Sequence, residues 1–237
     1  MEFLIIIITG ILAGLLSGAV GFGGGMIIMP VITFFYGVEI AVPTATIAQL
    51  MSNLSKAGMG LKDIKWQATG RFLILAAPLT ALGAFEFAVV PKQLLTRIVC
   101  VFLIMFAILK ITGRMRLPKK QGTIIIGGGI TGLINGMLGI SGPLSSAVFL
   151  TLELSPIAYI ASEAAAASMM HIIKIIIYHK LDYVNLHLLL NGLYIGFAMI
   201  LGNFISMHFI KKINKKRYQK VVAGIMILVS IWLIISV

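Results

Sequence analysis

The chain is short of charge. Asp, Glu, Lys and Arg make up 11% of its 237 residues, where a soluble domain carries about 25%. That scarcity excludes an ordinary water-soluble fold. Apolar residues are 59% of the chain and the mean hydropathy is +1.07, so the surface is suited to lipid, and several apolar stretches exceed the ~18 residues that suggest a spanning helix. Acidic residues are the scarcest, 7 against 19 Lys and Arg. In a soluble protein that excess points to nucleic acid. Here the bases fall between apolar runs, as in cytoplasmic membrane loops, and no nucleic-acid partner is expected. Cysteine is almost absent: Cys100 stands alone inside an apolar run, which excludes an intramolecular disulfide, a redox pair and a zinc motif. No G-x-x-x-x-G-K-[ST] loop is present, so the chain does not hydrolyse ATP itself. H-E-x-x-H and G-x-S-x-G are also missing. The chain therefore reads as a non-enzyme with no metal and no cofactor. No Lys or Arg precedes the first apolar run, MEFLIIIITG, which reads as part of a mature first helix rather than a secretory leader.

What the chain does have is glycine, in a pattern. Residues 10–25, GILAGLLSGAVGFGGG, return 118 positions later as GGITGLINGMLGISGP, so that Gly10, Gly14, Gly18, Gly21 and Gly24 align with Gly128, Gly132, Gly136, Gly139 and Gly142. Lys56 aligns with Lys174 at the same offset; with one inserted residue Asp63 aligns with Asp182 and Gly83 with Gly202. The chain reads as two copies of one all-α membrane unit, 1–113 and 122–237, joined by a basic linker at 114–121. Apolar segments fall at roughly 3–36, 40–60, 69–90, 94–113, 122–150, 156–178, 185–209 and 218–237.

Charge placement bears on topology. All 19 Lys and Arg are expected in or beside loops. If every segment crosses simply, the two sides receive 11 and 8 of them; if 3–36 and 122–150 are re-entrant hairpins, the split becomes 15 against 4. The positive-inside rule prefers the second arrangement, which makes the repeats inverted and puts both termini outside. Length agrees: 3–36 is far longer than the ~20 residues of one span and suits two short helices meeting at Gly23–Gly25. A single long helix whose Gly10, Gly14 and Gly18 allow close packing is the competing reading.

Three groups of residues could carry chemistry. Gly23, Gly24 and Gly25, with Ser141 and Gly142 of the second copy, can offer backbone N–H or hydroxyl donors at helix breaks, and paired broken helices point to a transporter's central site. Gln49, Ser52, Asn53 and Lys56 are spaced to lie on one helical face; Gln49, Asn53 and Asn135 are expected to orient a small anion. Lys56 and Lys174 can add charge to that site, or mark helix ends and snorkel. Glu163 is a carboxylate within an apolar helix, and with His171 two turns on is the candidate for coupling a proton; its nearness to Pro156 also allows a place near the interface. His179, His187 and His208 are expected at the interface, without metal-ligand spacing.

The stretch GLLSGAVGFGGGMIIMPVI, with Asp63-Ile-Lys-Trp66 after the second segment and Gly139-Ile-Ser-Gly142-Pro143 in the second copy, resembles the TauE/SafE family of bacterial and archaeal permeases (sulfite exporter-like) over essentially the whole chain. The resemblance implies a multi-pass inner-membrane carrier, often an exporter, of small sulfur-containing or organic anions such as sulfite or sulfoacetate. Ser141 and Pro143 stand where the first copy has Gly23 and Gly25, so the two half-sites are unequal. The partners expected are a small anion and membrane lipid, with a homo-oligomer also compatible. The alternative is a non-transporting membrane scaffold or subunit, in which the glycines pack helices and leave no cavity.

Overall fold

In a computed structural model of the chain the described residues are 2–91, 121–139 and 142–209, with isolated positions between 93 and 112 and at 231. The expected segments 94–113 and 218–237 lie almost wholly outside them, as do the linker over 114–120 and Ser141. Every regular element among the described residues is helical: α1 Glu2–Val20, α2 Gly24–Tyr36, α3 Val38–Met59, a 3-10 turn at Leu61–Asp63, α4 Trp66–Val89, α5 Gln121–Leu138, α6 Gly142–Leu150, α7 Pro156–Lys180 and α8 Leu186–Phe209. Over 66–89, 156–180 and 186–208, α4, α7 and α8 are long and apolar enough to cross a membrane.

The helix ends follow local chemistry. Gly21 (φ 89°) turns its N–H back to Ser17 O at 2.7 Å and closes α1, a backbone shape that glycine adopts without steric cost. Gly23 is also left-handed (φ 101°), and its carbonyl accepts from Met26 N and Ile27 N at 3.1 and 3.3 Å. The break therefore lies at Gly21–Gly23, two residues earlier than expected, because Gly24 and Gly25 already belong to α2. Gly139 (φ 69°) makes the matching break between α5 and α6. Ser155 caps α7 with its hydroxyl and Pro156 follows at the first helical position, a standard start. Asn185 Oδ1 accepts from Leu188 N at 2.9 Å at the start of α8.

The broken segments fold back as hairpins, not as one long helix. A Cβ placed on Gly24 would meet Ser17 Cβ and Ala13 O, while further along Ile32 and Tyr36 share a cavity wall with Ile6. So α2 runs antiparallel to α1. It has 13 residues, about 20 Å at ~1.5 Å each, too short to cross alone. Gly127 against Val148 places α6 likewise back along α5.

The long helices pack through glycine. Gly10 faces Ile195 and Ala198, Gly14 faces Met199, and Gly18 faces Asn203 and Ser206, so α1 and α8 run side by side in the same direction. Gly128, Gly132 and Gly136 meet Phe72, Ala76 and Thr80 in the same ascending order along α4. Thus α1 of the first half lies on α8 of the second, and α5 of the second lies on α4 of the first. Thr69 beside Ser162 and Phe87 beside Tyr178 set α4 parallel to α7; Gly60 against Ile157 and Ala161 sets α3 antiparallel to α7. At Gly14, Gly18, Gly128, Gly132 and Gly136 a Cβ would strike neighbouring backbone, the close approach that small residues permit in membranes. Leu12, Leu82, Phe85, Phe197 and Leu201 are exposed on the outside of this bundle.

Candidate functional site

The two breaks meet. A Cβ on Gly142, the first residue of α6, would lie 2.9 Å from Phe22 Cβ and 3.2 Å from Gly23 N. Gln49, midway along α3, touches both: its amide packs against Gly25, and its Nε2 donates to Gly139 O at 3.2 Å. Between them is a narrow cleft. Of the expected site residues, Gly23, Gly24, Gly25, Gln49, Asn53, Lys56, Gly142 and Glu163 all line it. The first amides of α2 have no intrahelical acceptor, so the Gly24 and Gly25 N–H groups are the backbone donors nearest the cleft.

Lys56 is not a loop or snorkelling residue. It is 1% exposed, and its Nζ donates to Ser17 Oγ at 2.8 Å and to Gly21 O at 2.9 Å. It therefore holds the carbonyl end of α1, where the helix dipole favours a cation. An ammonium has three donors; the third remains for the cleft. Lys174 is also buried, at 0%, which overturns the expectation that every basic residue sits in or beside a loop. Taking both lysines out of the topology count leaves 14 against 3, a sharper bias in the same direction.

Glu163 is 2% exposed, inside the bundle. Ser145 Oγ donates to its Oε1, and Oε2 has no hydrogen-bond partner. His171, Asn135 and Lys174 are fully buried but do not line the cleft; the Lys174 amine lies beside Gly139 at the second break. His179, His187 and His208 are exposed. Among the described residues no group of His, Cys, Asp and Glu is placed to hold a metal ion.

Three contributors were not expected. Ser17 binds Lys56 and lines the cleft; its signal was a lone hydroxyl one turn before Gly21, aligned with Asn135. Ser145 approaches Glu163 only through tertiary packing and left no signal. Asn203 Nδ2, on α8, reaches Ser52 O and Oγ at 3.0 Å and Ser55 Oγ at 2.9 Å, tying α8 to the back of the polar face of α3.

A probable membrane transporter protein of Methanocaldococcus jannaschii is 28% identical over 163 residues, and the match covers 60% of each chain. The chain thus matches less than two thirds of that curated relative's length. No solved structure matches. The family model described as Sulfite exporter TauE/SafE matches residues 6–233, nearly the whole chain. The chain therefore belongs to the sulfite exporter TauE/SafE family, a family of membrane transporters and not of enzymes.

Proposed function

We propose that this protein is a secondary carrier that exports small sulfur-containing or organic anions, such as sulfite or sulfoacetate, across the inner (plasma) membrane. The observation that carries the reading is the meeting of two glycine breaks on one cleft, lined by amides and by the Lys56 ammonium and enclosed by helices. Irregular backbone at membrane depth is tolerated where it is buried in protein or lines a cavity. Donors gathered there suit a small anion. The absence of a nucleotide-binding loop in the sequence fits transport driven by gradients.

The repeats are inverted in this reading. Its support is the contact order: α1 runs with α8, α5 runs with α4, and α4 runs with α7, which a short turn joins to α8 in the opposite sense. Those directions make α1 and α5 antiparallel, as alternating access between two half-sites requires. A reporter fused after Lys120 should read as cytoplasmic; a periplasmic signal would overturn the arrangement.

A proton travels with the anion through Glu163. An ionised carboxylate on the wall of an anion cleft opposes the anion, whereas a protonated one offers it a hydrogen bond. His171 stands with Lys174 rather than on the cleft, so Glu163 is the coupling group. Proteoliposome flux of labelled sulfite, sulfate and sulfoacetate, with and without a pH gradient, tests both statements. Wild-type sulfite flux should rise when the side loaded with anion is acidic. Glu163→Gln should keep anion exchange and lose that response. No flux of any small anion would favour the scaffold reading, and an unchanged gradient response in Glu163→Gln would remove the coupling role.

A further inference from the structure

We propose that Asn135, His171 and Lys174 form a second anion-binding position beside the Gly139 break, separate from the cleft at Lys56. The inference rests on the carrier reading above and goes beyond it, because it gives each chain two places for an anion instead of one.

The argument starts from the repeat. The offset of 118 carries Ser17, Gly21 and Lys56 onto Asn135, Gly139 and Lys174. In the first half Lys56 Nζ donates to Ser17 Oγ and to Gly21 O. In the second half the equivalent carbonyl, Gly139 O, accepts instead from Gln49 Nε2. The residue equivalent to Gln49 is Ala167, which has nothing to donate to Gly21. One substitution between the copies therefore breaks the symmetry: Gln49 takes the acceptor that Lys174 would use.

Lys174 is left without a partner next to that backbone. A Cβ on Gly139 would lie 3.6 Å from its Nζ. The ammonium sits 5.8 Å from the centre of the Tyr178 ring, whose hydroxyl is itself used on Gly136 O at 3.0 Å. His171, one turn before Lys174 on α7, has both ring nitrogens unpartnered; Asn135, one turn before Gly139 on α5, has both amide atoms unpartnered. All three side chains are 0% exposed.

Buried polar groups are almost always hydrogen-bonded, and each exception needs an explanation. Five orphaned atoms on three buried side chains of α5 and α7 would not persist for packing, because apolar residues of similar size would fill the space at no such cost. The set is rich in donors: three N–H on Lys174, two on Asn135 and at least one on His171. No carboxylate bonds to it, in contrast to the Lys56 cleft, where Glu163 forms part of the wall. That chemistry fits a small oxyanion with several acceptor oxygens. Gln49 separates the two positions, so an anion passing from one to the other must loosen its bond to Gly139 O.

Calorimetric titration of the purified full chain with sulfite tests this. The wild type should bind two sulfites. Lys174→Met should bind one, its lost site weakened about a hundredfold. The ligand-free Lys174→Met protein should melt a few degrees higher, since a buried amine with no hydrogen-bond partner has gone. Asn53→Ala, at the cleft, should remove the other sulfite and spare this one. One sulfite in the wild type, unaffected by Lys174→Met, would overturn the second position and leave the carrier reading intact. Loss of all binding in Lys174→Met would show a single composite site and also overturn it. No binding of sulfite or any other small anion by the wild type would take down the carrier reading itself, and this proposal with it.

Discussion

Gly25→Val should reduce sulfite flux in proteoliposomes to about one hundredth of wild type, the loss expected when a charge-assisted buried hydrogen bond is forfeited. Gly25 is the second residue of α2 and lies directly against the Gln49 side chain; an added Cβ would overlap its amide. Gln49 cannot stay where it is. It must withdraw from Gly139 O, which unpairs a buried carbonyl and shifts the contact between the two breaks. The branched side chain also occupies the cleft. Overpacking of this kind costs about 1–3 kcal/mol in stability, small enough for the protein to be purified and assayed. Gly25→Ala should be milder, because the end of a glutamine side chain can move. A double-mutant cycle identifies the mechanism. With Gln49→Ala already in place the Gly25→Ala loss should shrink, since the atoms an added Cβ would strike belong to Gln49. Strict additivity, or wild-type flux in Gly25→Val, would mean that Gly25 is glycine for some reason other than Gln49.

Much of this was legible before any coordinates. Low charge and long apolar runs specify a membrane helix bundle, and the doubled spacing of Gly10 to Gly24 marks the two broken segments. The polar face of α3 could be read from the i, i+3, i+4, i+7 spacing alone; that all four of its side chains, Lys56 included, are buried could not. The position of the break could not. Five glycines crowd into 18–25, and backbone hydrogen bonding decides which of them bend: Gly21 and Gly23 take positive φ, while Gly24 and Gly25 continue as helix.

The lysines show a deeper limit. Lys56 and Lys174 are the same residue 118 positions apart in the doubled pattern, each late in a helix where snorkelling is usual. Their burial comes from what packs across them, and their difference comes from Gln49, which reaches Gly139 O, where the residue 118 positions on, Ala167, has nothing to donate. Pairwise tertiary contacts of that kind leave no local signature. The same holds for Ser145 against Glu163 and for Asn203 against α3. Ser17 is the intermediate case. A single hydroxyl in an apolar run, aligned with an asparagine in the second copy, was visible, and its partner was not.

The sharpest consequence of that asymmetry is that Lys56→Met and Lys174→Met should move stability in opposite directions. Lys56 closes α1: without it Ser17 Oγ and Gly21 O both lose their donor in a fully buried place. Each unsatisfied group costs about 1–3 kcal/mol, and a cation at a helix C-terminus is lost as well, about 0.3–2 kcal/mol. A chain of this size loses roughly 2–4 °C in melting temperature per kcal/mol, so Lys56→Met should melt about 10 °C lower. Its flux should also vanish, because the third ammonium donor faces the cleft. Stability and binding separate in one titration. A bound ligand raises the melting temperature by mass action, so sulfite should stabilise the wild type at its cleft and add nothing there in Lys56→Met. If the variant melts lower yet gains as much from sulfite as the wild type does, Lys56 is only the clamp on α1 and the anion is held by the amides. If it melts no lower, the bonds to Ser17 and Gly21 are not what fixes the end of α1. The predicted combination, a lower melting point together with a smaller sulfite effect, requires one ammonium to do both jobs: it holds the broken helix in place and turns its remaining donor toward the anion.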